Sequence, residues 1–161
     1  MRFALLASAL LAPVGILAAP TAGSIDGTSA LALEQRQASP PRPEPCVRQT
    51  PEPCENITAA RHAEFAQAFI YDQNITKAFE FIAEDYINHN PAAENGFDSA
   101  WNILSPFWGT QEITPFRHTF ISPQGWVNYN TTGFGEVVDR FRWEGGCIAE
   151  HWDQGEQYPT Q

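Results

Sequence analysis

Val137-Val138-Asp139-Arg140-Phe141-Arg142-Trp143, then Glu144-Gly145-Gly146, then Cys147-Ile148-Ala149-Glu150-His151-Trp152-Asp153 is a pair of strand-like runs about a glycine turn. Branched and aromatic residues alternate with charged ones, the pattern of a half-buried antiparallel hairpin. If Glu144-Gly145-Gly146 is a three-residue loop, Trp143 pairs with Cys147, Phe141 with Ala149 and Asp139 with His151. Residues two apart share a face, so Asp139, Phe141, Trp143, His151 and Asp153 point the same way. Two carboxylates and an imidazole against aromatic rings form a general acid–base constellation. A two-residue turn at Gly145-Gly146 would instead pair Asp139 with Trp152 and send His151 elsewhere. A polar strand face washed by solvent is the plainer alternative.

Upstream of the hairpin, Ile113–Ile121, Trp126–Asn130 and Phe134–Trp143 are strand-like, parted by Pro123-Gln124-Gly125 and Thr132-Gly133. Before Gly109 the period is helical. Phe65, Phe69 and Ile70 mark a first helix from a Thr58 cap to Asn74, and Thr76 opens a second through Phe79, Ile82 and Ala83. Asp98 caps a third, through Ala100, Trp101, Ile103 and Leu104 to about Phe107. Helices first and strands afterwards indicate an α+β layer, a sheet wrapped over helices.

The N-terminus has a different texture. Met1-Arg2-Phe3 leads into an apolar run from Ala4 to Ala19, broken by Pro13 and Gly15 and ending in small residues. This is the form of a cleavable signal peptide over 1–19, too short and interrupted for a membrane span. Residues 20–53 read as a pro-segment, with cleavage after Arg36 as one option, and an extended Pro-rich linker. The domain is then 54–158, long enough for one core. Sequons at Asn56, Asn74 and Asn130 suit a secreted or secretory-lumen glycoprotein with all three at the surface. Of three cysteines, Cys46 and Cys54 bracket a short loop and are the expected bridge, leaving Cys147 a buried free thiol; a bridge from Cys147 to Cys46 or Cys54 would tie the linker to the last strand.

A net charge of −10 and a pI near 4.7 argue against nucleic acid and anionic membranes as partners. His62 and His118 have no partner at metal-ligand spacing, and the chain holds no glycine-rich phosphate loop and no G-x-S-x-G. No metal and no cofactor is expected.

Two blocks carry a family resemblance. Glu84-Asp85-Tyr86-Ile87-Asn88-His89-Asn90-Pro91 looks like a "D-Y-x-x-H-N-P" segment, and Val138 to Asp153 looks like a closing hairpin "V-D-x-F-R-x-x-x-G-K-I-x-E-H-W-D". Both resemble the SnoaL-like polyketide cyclases of the NTF2-like superfamily, over roughly Thr58 to Asp153. The resemblance implies a cone of curved antiparallel sheet packed on three helices with one central pocket. It puts the general acid–base aspartate at Asp153, a polar pocket residue at Asp139 and the histidine of the H-N-P segment at His89. Cys147 stands where the family has Lys, and Trp126-Val127-Asn128-Tyr129 where many relatives carry a histidine.

The expected activity is a cofactor-independent cyclase, isomerase or dehydratase acting on a small polyketide-like or aromatic metabolite. Asp153 moves the proton, Asp139 and His151 tune it, and His89, Tyr86, Phe141, Trp143 and Trp101 hold the substrate. The rival expectation is a secreted, non-catalytic carrier of a small apolar ligand. Homo-oligomerisation stays open.

Overall fold

The computed structural model describes residues 39–160. The signal-like run 1–19, the Arg36 cleavage option and the first part of the 20–53 segment lie outside the described residues. Three helices, α1 (Glu55–Ala66), α2 (Ile75–Phe79) and α3 (Phe97–Leu104), cover one side of five strands. The strands are β1 (Ile82–Asn88), β2 (Ile113–Ile121), β3 (Gln124–Thr131), β4 (Gly135–Glu144) and β5 (Cys147–Trp152), in the order β1-β5-β4-β3-β2. Strands β2 to β5 form an antiparallel meander, and β1 joins β5 in parallel at the edge. The sheet is open, with β1 and β2 as its two margins.

Apolar residues at helical spacing put Phe65, Phe69 and Ile70 on the buried side of α1 and of the π-type turn Gln67–Tyr71 that prolongs it. They meet Val127, Tyr129, Phe141, Trp143 and Ile148 from the concave face of the sheet. Edge-to-face contacts such as Phe65–Phe141, 4.8 Å between centroids, knit the layers. His62 packs flat where β3 has Gly125; a Cβ there would fall 2.3 Å from His62 Nδ1. This position admits only glycine.

Several expectations are corrected. The first helix is capped by Cys54, with Thr58 buried inside it, and Gly96 rather than Asp98 precedes α3. The second helix ends at Phe79, and Ile82 and Ala83 open β1. Tertiary pairing decides this, since Ile148 N–H donates to Phe81 O and Cys46 N–H donates to Ile82 O. The bridge is Cys46–Cys147, and Cys54 is the free, exposed cysteine. Cys46 lies beside Ala83 at the sheet edge, which brings it onto β5, whereas Cys54 is committed to the helix start. Residues 39–53 pack with the rest of the described residues as one compact unit. Residues 39–53 are extended, as their prolines require, and are fastened by Arg48–Asp85, Arg42–Asp98 and the disulfide.

The β4–β5 turn also differs from expectation. Glu144 pairs with Cys147 and Trp143 with Ile148, so the loop is the two-residue Gly145-Gly146, both at positive φ. A bulge at Ala149 then shifts the register, and Phe141 pairs with His151 and Arg140 with Trp152. The turn moves every β5 side chain to the other face and the bulge moves His151 and Asp153 back. The expected face is kept although the expected register is not.

Candidate active site

The concave face of the sheet and the helices enclose a cavity of about 1060 Å³. Phe65, Phe69, Trp108, Tyr129 and Phe141 make its aromatic wall. Trp108 is held rigidly, stacked 4.1 Å from Phe69 and donating from Nε1 to Phe69 O at 2.9 Å. The segment Gln154–Tyr158 also lines the cavity, anchored by Glu156 to Arg140 at 2.8 Å and by Tyr158 against the Arg117 guanidinium.

Asp139, His151 and Asp153 meet in this cavity, one polar atom of each within 4.8 Å of the others. Asn90 N–H donates to Asn88 Oδ1 at 3.0 Å, which fixes that amide with its oxygen toward His151 Nδ1, 3.3 Å away. His151 Nε2 lies 3.0 Å from Asp139 Oδ1, and Tyr129 OH donates to Asp139 Oδ2 at 2.8 Å. An N–H at Nε2 donates to Asp139 Oδ1, joining imidazole and carboxyl as a hydrogen-bonded pair. Burial, reinforced by the negative charge of Asp139 and then of Asp153, raises the Tyr86 and Tyr129 hydroxyls well above the usual phenol range. Both remain neutral donors.

Asp153 differs from its neighbours. Its Oδ2 accepts from Asn90 Nδ2 at 2.6 Å, while its Oδ1 is shielded from solvent and has no protein partner. That atom is a lone-pair donor beside a proton-holding pair, against aromatic walls. The arrangement can take a proton at Asp153 and supply one from the Asp139–His151 pair.

Among the described residues this trio is also the cluster whose atoms could hold a cation. Both His151 nitrogens are engaged, however, so a metal ion would have to break the Asp139 or Asn88 contact to reach a lone pair.

Of the substrate-holding residues expected from sequence, Tyr86 and Phe141 line the cavity. His89 does not: strand alternation turns Tyr86 and Asn88 inward and His89 outward. There it stacks 4.3 Å over Trp152 and reaches Glu150 Oε2 at 2.7 Å. The His89 bond and then Arg142 hold the Glu150 carboxyl below its usual range despite partial burial. Trp143 is buried beyond the cavity against His62 and Phe65, and Trp101 packs behind the wall on Phe79. Tyr129, Asn88, Asn90 and residues 154–158 join the site without having been expected there from sequence. Inward alternation from Val127 points to Tyr129; Asn88 and Asn90 flank the histidine that drew attention.

No family model matches the chain, and no curated protein matches it. Similar solved structures include a candidate ketosteroid isomerase from Kribbella flavida, at 16% identity and TM-score 0.49, covering 66% of this chain and 84% of that one. A candidate polyketide cyclase from Sinorhizobium meliloti has 14% identity and TM-score 0.47, covering 59% and 94%. A SnoaL-like protein of unknown function from Burkholderia thailandensis has 9% identity and TM-score 0.44, covering 63% and 97%. Among the described residues, five strands and three helices make an α+β fold with an open curved sheet and a pocket on its concave face.

Proposed function

We propose that the pocket is the acid–base site of a cofactor-independent isomerase, cyclase or dehydratase acting on a small aromatic or polyketide-like metabolite. The observation that carries this reading is Asp153 Oδ1, buried, unpartnered and beside the Asp139–His151 pair in an aromatic cavity. Asp153 abstracts a proton next to a substrate carbonyl, and the pair or Tyr129 supports the developing oxyanion. Aromatic walls exclude water from the step.

Asp153→Asn tests this. The substituted amide oxygen still accepts from Asn90 and the shape is kept, so the fold should persist. Turnover of a substrate found among aromatic ketones should fall by roughly 10²–10⁴, the usual weight of general acid–base catalysis. Full turnover in the variant would overturn the mechanism. Equal binding of an apolar ligand to both forms, with no turnover by either, would establish the carrier function instead.

The same reading includes passage through the secretory pathway, supported by the signal-like start, the sequons and the Cys46–Cys147 bridge, a bond that persists in oxidising compartments. None of the helices among the described residues is long and apolar enough to cross a membrane. The ligand partner is small and largely apolar, with nucleic acid and membrane surfaces disfavoured by the acidic charge.

A further inference from the structure

Where the cavity meets solvent, its border is apolar. Ile103 and Leu104 close α3, Phe107 follows them, and Phe134 stands in the turn between β3 and β4; all four line the cavity. Ile103 is 41% exposed and Phe134 74%, while Leu104 and Phe107 are half-buried. A side chain that both lines a cavity and faces solvent stands at an opening. Thr132 N–H donates to Glu112 O at 3.3 Å, which fastens the Phe134 turn beside the segment leading from α3 into β2. Single exposed apolar side chains are ordinary, but these four border one cavity and form an apolar lip.

The Phe134 side of this lip is set apart from the acid–base trio. Gly135, next to Phe134, is four residues before Asp139 on β4, about 13 Å of strand. Glu136, the carboxylate nearest Phe134 in the chain, is held by Asn128 Nδ2 at 3.0 Å, so the lip itself presents ring and methyl surface. At about 1060 Å³ the cavity stands at the upper end of the range for small-molecule sites, more than a two-ring aromatic ketone fills.

We propose that the lip seats an uncharged alkyl chain on a ligand whose carbonyl-bearing aromatic head lies against Asp139, His151 and Asp153. The substrate class of the proposed site is then an alkyl-substituted aromatic ketone. Each methylene withdrawn from water onto the lip tightens binding by about two- to fourfold, the upper figure being that for complete burial. A chain ending in a carboxylate gains less, because the lip offers that charge no partner. This inference rests on the pocket taking a ligand, as proposed above, but not on turnover.

The test is calorimetric titration of the full chain with 4-methyl-, 4-butyl- and 4-octylacetophenone. From butyl to octyl the wild-type protein should bind about 10- to 100-fold more tightly. A variant carrying Ile103→Ser and Phe134→Ser should bind 4-methylacetophenone much as wild type does, while the butyl-to-octyl gain falls to about threefold or less. Both side chains are exposed, and near-UV circular dichroism verifies the fold; Phe134→Ser alone, with a smaller loss of the gain, serves should the double variant not fold. No gain along the series in wild type, or the same gain in the variant, overturns the chain seat and leaves the pocket standing. No gain along the series, with phosphatidylcholine-vesicle binding that the variant loses, overturns it in favour of a lipid surface. Failure of all three ketones to bind the wild-type protein overturns the chain seat and the ligand-binding pocket together.

Discussion

His151 is held between two oxygens, and His62, buried under β3, has almost the opposite circumstances. His62 Nε2 donates to Trp126 O at 3.3 Å, while its Nδ1 is buried without a partner. Burial lowers its pKa to about 4, opposed by the backbone bond and assisted by nearby His118. The unfolded chain protonates this ring near 6.5 and the folded one only near 4, so the unfolded state binds more protons between those values. Stability should therefore decline as pH falls from about 6.5 to about 4, by up to roughly 3 kcal/mol from this group. Urea denaturation at pH 7 and pH 4.5 measures it; a His62→Gln variant whose stability falls as steeply as wild type over that interval would contradict the assignment. Gly125→Ala should destabilise strongly, by about 1–3 kcal/mol or more, because the new methyl overlaps the His62 ring.

The hairpin β4–β5 shows how far sequence carries an element and where it stops. Glycine at Gly145 and Gly146 marks the turn, and alternation marks which side chains go inward; both are local properties. The extra residue at Ala149 is not local, since a bulge is decided by the partner strand and by β1 on the other side. Strand β1 was hidden for a similar reason. Ile82–Asn88 carries no strong pattern, and its burial alternates irregularly because one margin is paired and the other is covered by residues 39–53. The disulfide depended on the same invisible strand, so spacing favoured the wrong partner. Replacing Cys46 and Cys147 together by Ser should cost about 2–5 kcal/mol, as expected for a bond closing a loop of 101 residues. Thermal unfolding of the double variant checks this, and an unchanged midpoint would mean the strap is dispensable. The tail makes a second element-scale prediction. Arg140 grips Glu156 and lies 3.9 Å over Trp152, so Arg140→Ala should free residues 154–158 and speed ligand release, read as a higher dissociation rate with little change in fold.

At the scale of the molecule, the Asp139–His151–Asp153 cluster stands in a cavity with an aromatic wall and further polar lining residues, with the sheet behind it and residues 154–158 along its lining. The sequons are placed unequally around this body. Asn56 and Asn74 are exposed, while Asn130 is half-buried in the middle of the sheet, its Nδ2 turned to Thr131 O. If the chain passes through the secretory pathway, peptide mapping after endoglycosidase should find occupancy at Asn56 and Asn74 well above that at Asn130. The faces chosen by alternation, the aspartates and His151 were legible from sequence; the Asn88–Asn90 clamp was not, because it is made by a loop folding back after β1. The central claim is that Asp153 moves protons inside this cavity. Its most direct measurement is deuterium exchange from solvent into the α-carbon of 2-tetralone, an aromatic ketone, with wild-type protein and Asp153→Asn. Exchange above the buffer rate with wild type, reduced by roughly 10²–10⁴ in the variant, is the predicted result. Wild-type exchange at the buffer rate while 2-tetralone is bound would contradict it.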